Sequence, residues 1–170
     1  MKMTSAYANK LIRKLQEDKG FWVNKERNSS TYRSSVDEEP VIPEYDFEQV
    51  AGNIAEIDEK IVRIKHAINV SNSTNVIRVG EKEMTIDEIL VRMAQQTSRK
   101  IFLDCLRKKE PKTRINAGPY GTRKPSPEYE YINYDLELVK SEYDRIDAEI
   151  AAMQMALDKY NQTFEFEVEY

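Results

Sequence analysis

Apolar residues recur along this chain at alternating spacings of three and four. One run comprises Tyr129, Ile132, Leu136, Val139, Tyr143, Ile146, Ile150, Met153, Leu157 and Tyr160, and a second comprises Phe47, Val50, Ile54, Ile57, Ile61, Ile64 and Ile68. Residues three and four apart share one face of a helix. A sustained alternation of this kind is the heptad pattern of helices packed along their length. The two runs predict helices over about 127–162 and 46–69, with Asp46 as N-cap of the earlier one and Ser126 and Pro127 opening the later one.

Two further helices complete the set. Ala8, Leu11, Ile12, Leu15 and Trp22 form an apolar stripe over 4–24, with Gly20 a weak point near its end. Thr85 and Glu88 form a T-x-x-E capping box that starts a helix over 86–109, with Ile86, Leu90, Met93, Thr97, Ile101 and Cys105 along its face. Between the helices the pattern breaks. Serines, Asn28, Pro40 and Pro43 make 25–43 an extended arm, with a short strand near 30–33. Asn69, Ser71, Asn72, Ser73 and Asn75 compete with the helical backbone and should stop the second helix. The segment 75–85, with Gly80 in its turn, reads as a β-hairpin. Over 163–170 the period changes to two, so that Phe164, Phe166, Val168 and Tyr170 share one face of a C-terminal strand. The fold class is mainly α: one domain, 1–170, of four long helices with heptad-type packing plus a small hairpin and a terminal strand.

An isolated hairpin or terminal strand is marginal in water. Each seam residue left bare would forgo roughly 1.5–3 kcal/mol of burial. A homo-oligomer in which copies cover one another's long helices and β elements is therefore expected. The competing arrangement is an intramolecular four-helix bundle capped by a small sheet.

Composition limits the function classes. The chain is 33% charged with a mean hydropathy of -0.70, and its net charge of -4 gives no global case for long nucleic acid or a membrane as partner. No apolar run reaches the ~18 residues of a membrane span. The first residues lack the apolar core of a signal peptide, which predicts a cytoplasmic protein of bacterial or viral style, in the bacterial host cell if viral. The single cysteine, Cys105, excludes an internal disulfide and is expected as a small packing residue.

The candidate chemistry lies in one loop. The stretch 107–124 holds seven cations and one carboxylate in an otherwise acidic chain, and Gly118 and Gly121 flank Tyr120. Glycines let backbone amides approach an anion, arginine offers a planar fork to phosphate, and a tyrosine ring can stack on a base. Arg114, Arg123 and Lys124 are candidates to meet phosphate, Tyr120 to stack, and Asn116 and Thr122 to orient the ligand. No P-loop pattern is present, and the bland alternative is a solvated loop whose cations offset acidic helix faces. His66 has no histidine or cysteine at ligand spacing, so no zinc site is expected, and nothing marks an activated serine beside it. The carboxylates, such as Glu142, Asp144 and Glu149, fall between seam positions near basic residues, as on a solvated helix face. Catalytic residues, metals and cofactors are therefore expected to be none.

The order of parts, with a heptad helix ending in Ile68-Asn69 and Asn72 three positions later, resembles the septicolysin-like family of small bacterial and phage proteins, whose second helix ends in a similar I-N-x-x-N signature. The resemblance implies a helical, hexameric assembly and no settled activity. Two departures stand out. Arg123-Lys124-Pro125-Ser126-Pro127 replaces an R-S-E-I-like strand, and the last helix runs on into the tail strand where the family closes with an N-W pair. The reading that follows is an oligomeric, non-enzymatic protein that sequesters a small phosphate-bearing ligand, such as a nucleotide signal, between subunits, as a phage anti-defence protein would. A scaffold without any small ligand is the alternative, and a metal-dependent phosphodiesterase a third reading.

Overall fold

Thr4, Asp46, Thr85 and Asp135 open the four helices of the chain, each by the same chemistry. Their side-chain oxygens accept from Tyr7 N at 3.2 Å, Gln49 N at 3.1 Å, Glu88 N at 3.4 Å and Glu137 N at 2.8 Å, satisfying amide donors that no helical carbonyl can reach. At Thr85 the capping box closes, because Glu88 Oε2 accepts from the Thr85 amide at 2.8 Å. A computed structural model describes residues 1–115 and 127–169. The fold is mainly α: helices α1 (Ser5–Ser29), α2 (Phe47–Thr74), α3 (Ile86–Arg107) and α4 (Leu136–Thr163), with strands β1 (Lys2–Thr4), β2 (Val76–Val79), β3 (Lys82–Thr85), β4 (Lys112–Ile115), β5 (Glu128–Tyr131) and β6 (Glu165–Glu167).

The helices pack as two antiparallel pairs, α1 with α2 and α3 with α4. Each pair has its own core. Ala8, Ile12 and Ile64 gather with Met3 and Val168 of the terminal segments. Ile86, Ile89, Met153, Leu157 and Tyr160 gather over Ile77 and Met84 of the β2–β3 hairpin. Ion pairs bind each pair along its length: Lys19 to Asp58 at 2.6 Å, and Arg92 to Glu149 at 2.7 Å. The start of α1, the end of α2, the start of α3 and the end of α4 meet at one end of the molecule, where Ser71 and Tyr160 join the pairs through a buried hydrogen bond.

The three strand pairs are separate antiparallel ribbons. β2 and β3 turn at Gly80, whose φ of 61° is the left-handed conformation that glycine adopts without penalty. β6 pairs with β1, Met3 opposite Phe166. The tail is thus partnered by the start of the same chain, and Val168 is 1% exposed. Of the apolar face expected to need another copy, Phe166 and Val168 are covered within the chain, while Phe164 remains 36% exposed. The regular strand is also shorter than 163–170, because α4 runs to Thr163.

Several boundaries differ from the sequence reading. α1 continues past residue 24 to Ser29, and no strand forms near 30–33. α2 passes through the expected stop to Thr74. There Ser73 and Thr74 hydroxyls donate back to the Val70 carbonyl at 3.1 and 2.7 Å, a bond made inside the helix rather than against it. α3 ends at Arg107, two residues before the expected 109.

The largest departure is at α4. Tyr129 and Ile132 do not belong to it. Glu128–Tyr131 is a strand, and the helix starts at Leu136 with Asp135 as its cap. Pairing with Lys112–Ile115 gives this segment cross-strand backbone partners in place of helical ones. Ser126, expected as the cap, lies outside the described residues.

The face of α3 is also rotated from expectation. Of the expected face, Ile86 is buried and Met93 packs against the core, whereas Leu90, Ile101 and Cys105 are exposed, Ile101 being 64% exposed, and the buried Ile89 and Leu103 stand outside the expected set. The reason lies at Gln96 and Lys100, polar residues on the inward side. Gln96 Nε2 donates to Glu149 Oε2 at 3.2 Å, and Lys100 pairs with Asp147 and lies over the Tyr143 ring.

Candidate functional site

The basic loop becomes an arm. β4 and β5 leave the junction between α3 and α4 as a two-stranded ribbon in register Lys112↔Tyr131, Thr113↔Glu130, Arg114↔Tyr129 and Ile115↔Glu128. All eight residues are exposed. The strands owe their existence to alternation, since Tyr129 and Tyr131 fall on one face and Glu128 and Glu130 on the other. The base is tied to the body. The Ile132 amide donates to the Pro111 carbonyl at 3.3 Å, and the Tyr134 hydroxyl donates to the Leu106 carbonyl at 2.7 Å. Lys109, Thr113, Tyr131 and Tyr134 border a hollow of about 340 Å³ at this base.

Most cations of the arm are already engaged. Arg107 and Lys108 both bind the Asp104 carboxylate, and their hydrogen bonds, Lys108's foremost, hold Asp104 below its ordinary pKa. Arg107 also lies 3.8 Å from the centre of the Tyr143 ring. Lys109 reaches Glu130 at 3.8 Å. Lys112 stands 4.2 Å over Tyr129 and 5.5 Å over Tyr131, a cation–π arrangement on the exposed face of the ribbon. Arg114, directly opposite Tyr129, has no ion-pair partner among the described residues. Of the six residues singled out from sequence, Arg114 is placed on the arm. Asn116, Tyr120, Thr122, Arg123 and Lys124 lie outside the described residues.

Lys112, Tyr129 and Tyr131, which the arm brings together, are not among the residues singled out from sequence. The signal was present as the period-two alternation Glu128-Tyr129-Glu130-Tyr131, but Tyr129 and Ile132 also fit the 3-4 seam and were absorbed into it. Cys105, expected in packing, is exposed. His66 is exposed on α2, where it lines an open groove of about 640 Å³ with Arg63, Val70 and Phe166. Among the described residues no three His, Cys, Asp or Glu side chains cluster as metal ligands, and no helix is long and apolar enough to cross a membrane.

No family model and no curated protein matches the chain. Its fold is similar to that of a functionally unknown conserved protein from Corynebacterium diphtheriae, at a TM-score of 0.63 and 13% identity over 98% of this chain and 100% of the other. At that identity the likeness concerns the fold alone.

Proposed function

We propose that this chain is a self-associating, non-enzymatic binding protein of the cytoplasm, whose contact surface is the outward face of α3 together with the β4–β5 arm. The observation that carries this reading is the inversion on α3. Gln96 and Lys100 occupy the inward side and make polar contacts, while the adjacent Ile101 and Phe102 stand 64% and 53% exposed. Apolar side chains of that size contribute roughly 1.5–3 kcal/mol each when covered. The arm adds to the argument, because a bare two-stranded ribbon is marginal without a surface to rest on. Within such an assembly, Arg114 and the tyrosines of the arm would receive a small phosphate-bearing ligand such as a nucleotide, with Asn116, Tyr120, Thr122, Arg123 and Lys124 completing the site. The septicolysin-like resemblance and its hexamer belong to this same proposal.

Light scattering at micromolar concentration should give a multiple of the 19.9 kDa chain mass, and a monomer would refute the assembly. Calorimetric titration against cyclic and linear nucleotides tests the ligand; heat should appear with at least one of them. The scaffold reading, without a ligand, draws on a specific observation: Arg107, Lys108, Lys109 and Lys112 are each already engaged by a carboxylate or a ring. Assembly with no heat from any nucleotide would favour it.

A further inference from the structure

A second, smaller pocket of about 200 Å³ lies where the four helices meet, away from the basic arm. Its polar wall is made by Ser5 at the start of α1, Asn9 one turn later, Asn72 near the end of α2 and Asn161 near the end of α4. Its apolar wall includes Ile68 and Leu157. Ile68 and Asn72 are the ends of the I-N-x-x-N sequence noted above. Four positions apart on a helix, they stand one above the other and present a methyl surface beside a carboxamide.

The hydrogen bonding of this pocket is unfinished. Ser5 is 3% exposed, and its hydroxyl has no partner among the described residues. Leaving such a group buried and unpaired costs about 1–3 kcal/mol, so native structures seldom leave one without a compensating contact. Asn9 gives one of its amide hydrogens to the Ser5 carbonyl at 2.9 Å and keeps its oxygen available. The half-buried Asn72 and Asn161 carboxamides make no hydrogen bond with the described residues. Among the described residues no charged side chain lines the pocket, so an ion entering it would exchange hydration for neutral dipoles, which is unfavourable.

We propose that this pocket binds a small, neutral molecule with a carboxamide or lactam head and a short aliphatic body. A carboxamide offers a donor and an acceptor side by side, which matches an asparagine side chain in both senses. The Asn72 and Asn161 carboxamides, half-buried and without hydrogen bonds to the described residues, take the head. The body lies against Ile68 and Leu157. At roughly 30 Å³ for each displaced water, the pocket holds about seven waters and so accommodates a ligand of that modest size.

The test uses the full chain with butyramide and 2-pyrrolidinone as probes and butyrate and butylammonium as charged counterparts, read by saturation-transfer NMR and by crystals soaked in each. Both amides should give transfer and compete with each other. Asn161→Leu should weaken them about tenfold, the loss of roughly one hydrogen bond, with the circular dichroism spectrum unchanged. If that variant does not fold, Asn9→Ala at the exposed rim serves instead and should also weaken both. Charged probes that bind as well as the amides, amide binding indifferent to the asparagine substitutions, or ordered water alone in amide-soaked crystals would each overturn the proposal.

Discussion

The Ser71 hydroxyl and the Tyr160 phenol share a buried hydrogen bond of 2.8 Å across 89 positions of sequence. It joins α2 to α4, and therefore one helical pair to the other. Asn75 supports it by donating to Ser71 Oγ at 3.2 Å, and Phe164 stacks on the Tyr160 ring at 4.8 Å. Tyr160→Phe retains the ring packing and removes the bond, so urea denaturation should register a loss of about 1–2 kcal/mol. Ser71→Ala should cost a similar amount. Because each variant removes the same bond, the double variant should fall short of the sum by about 0.5 kcal/mol or more. Strict additivity would mean that the bond does not couple the two pairs.

Val168 and Val36 make a matched contrast. Val168 is buried against Met3 and the start of α1, whereas Val36 in the extended arm is fully exposed. Val168→Ala should cost about 1–2.5 kcal/mol, and Val36→Ala should stay within about 0.5 kcal/mol of the parent. Equal effects at the two sites would contradict the internal pairing of the tail.

The Glu149 carboxyl lies below its ordinary pKa of 4.5, first through its hydrogen bond from Arg92 and then through Arg145, with partial burial opposing both. A group whose folded pKa is lowered contributes stability that is complete above the unfolded value and disappears as pH falls through the folded one. This contribution should therefore be constant from pH 7 to about 5 and decline only below about 4.5. Glu149→Gln should lower stability at pH 7 by about 1 kcal/mol, as expected for a partly exposed pair, and flatten the acid limb of the Tm–pH curve. A variant with the parent's full acid sensitivity would assign that limb to other carboxylates.

Ile101→Glu combined with Phe102→Glu places two charges on the outward face of α3. If that face holds copies together, light scattering should show a fall in mass while the helical circular dichroism signal persists. An unchanged mass would remove α3 from the interface.

Ser5→Ala removes a buried hydroxyl that has no partner among the described residues. Such a removal is neutral or stabilising, so the variant's Tm should hold or rise. A fall corresponding to about 1 kcal/mol would mean that the hydroxyl is paired in the folded protein.

The apolar pattern is legible from Leu136 to Tyr160, where the 3-4 seam contains the buried Ile146, Met153, Leu157 and Tyr160. The Thr85 capping box and the Gly80 hairpin were equally plain, because each depends on residues within a few positions of one another. What was illegible depended on partners distant in sequence. β1 is three residues long, too short for alternation to register, and acquires its strand character from Glu165–Glu167 at the other end of the chain. The inward turn of Lys100 depends on Asp147 and Tyr143, which lie on a different helix. The candidate site is legible as a concentration of cations, and the pairing of Arg107 and Lys108 with Asp104 follows from their three- and four-residue spacing; the engagement of Lys109 and Lys112 is not legible, because Glu130 and Tyr129 become their neighbours only through the fold.

The pairing of Met3 with Phe166 has a consequence for synthesis. Chains fold as they emerge from the ribosome, N-terminal parts first. Here the α1–α2 pair can form early, yet the strand that precedes it waits without a partner until Glu165–Glu167 has been made. Lys2–Thr4, made before α1, is thus secured after it, together with Glu165–Glu167.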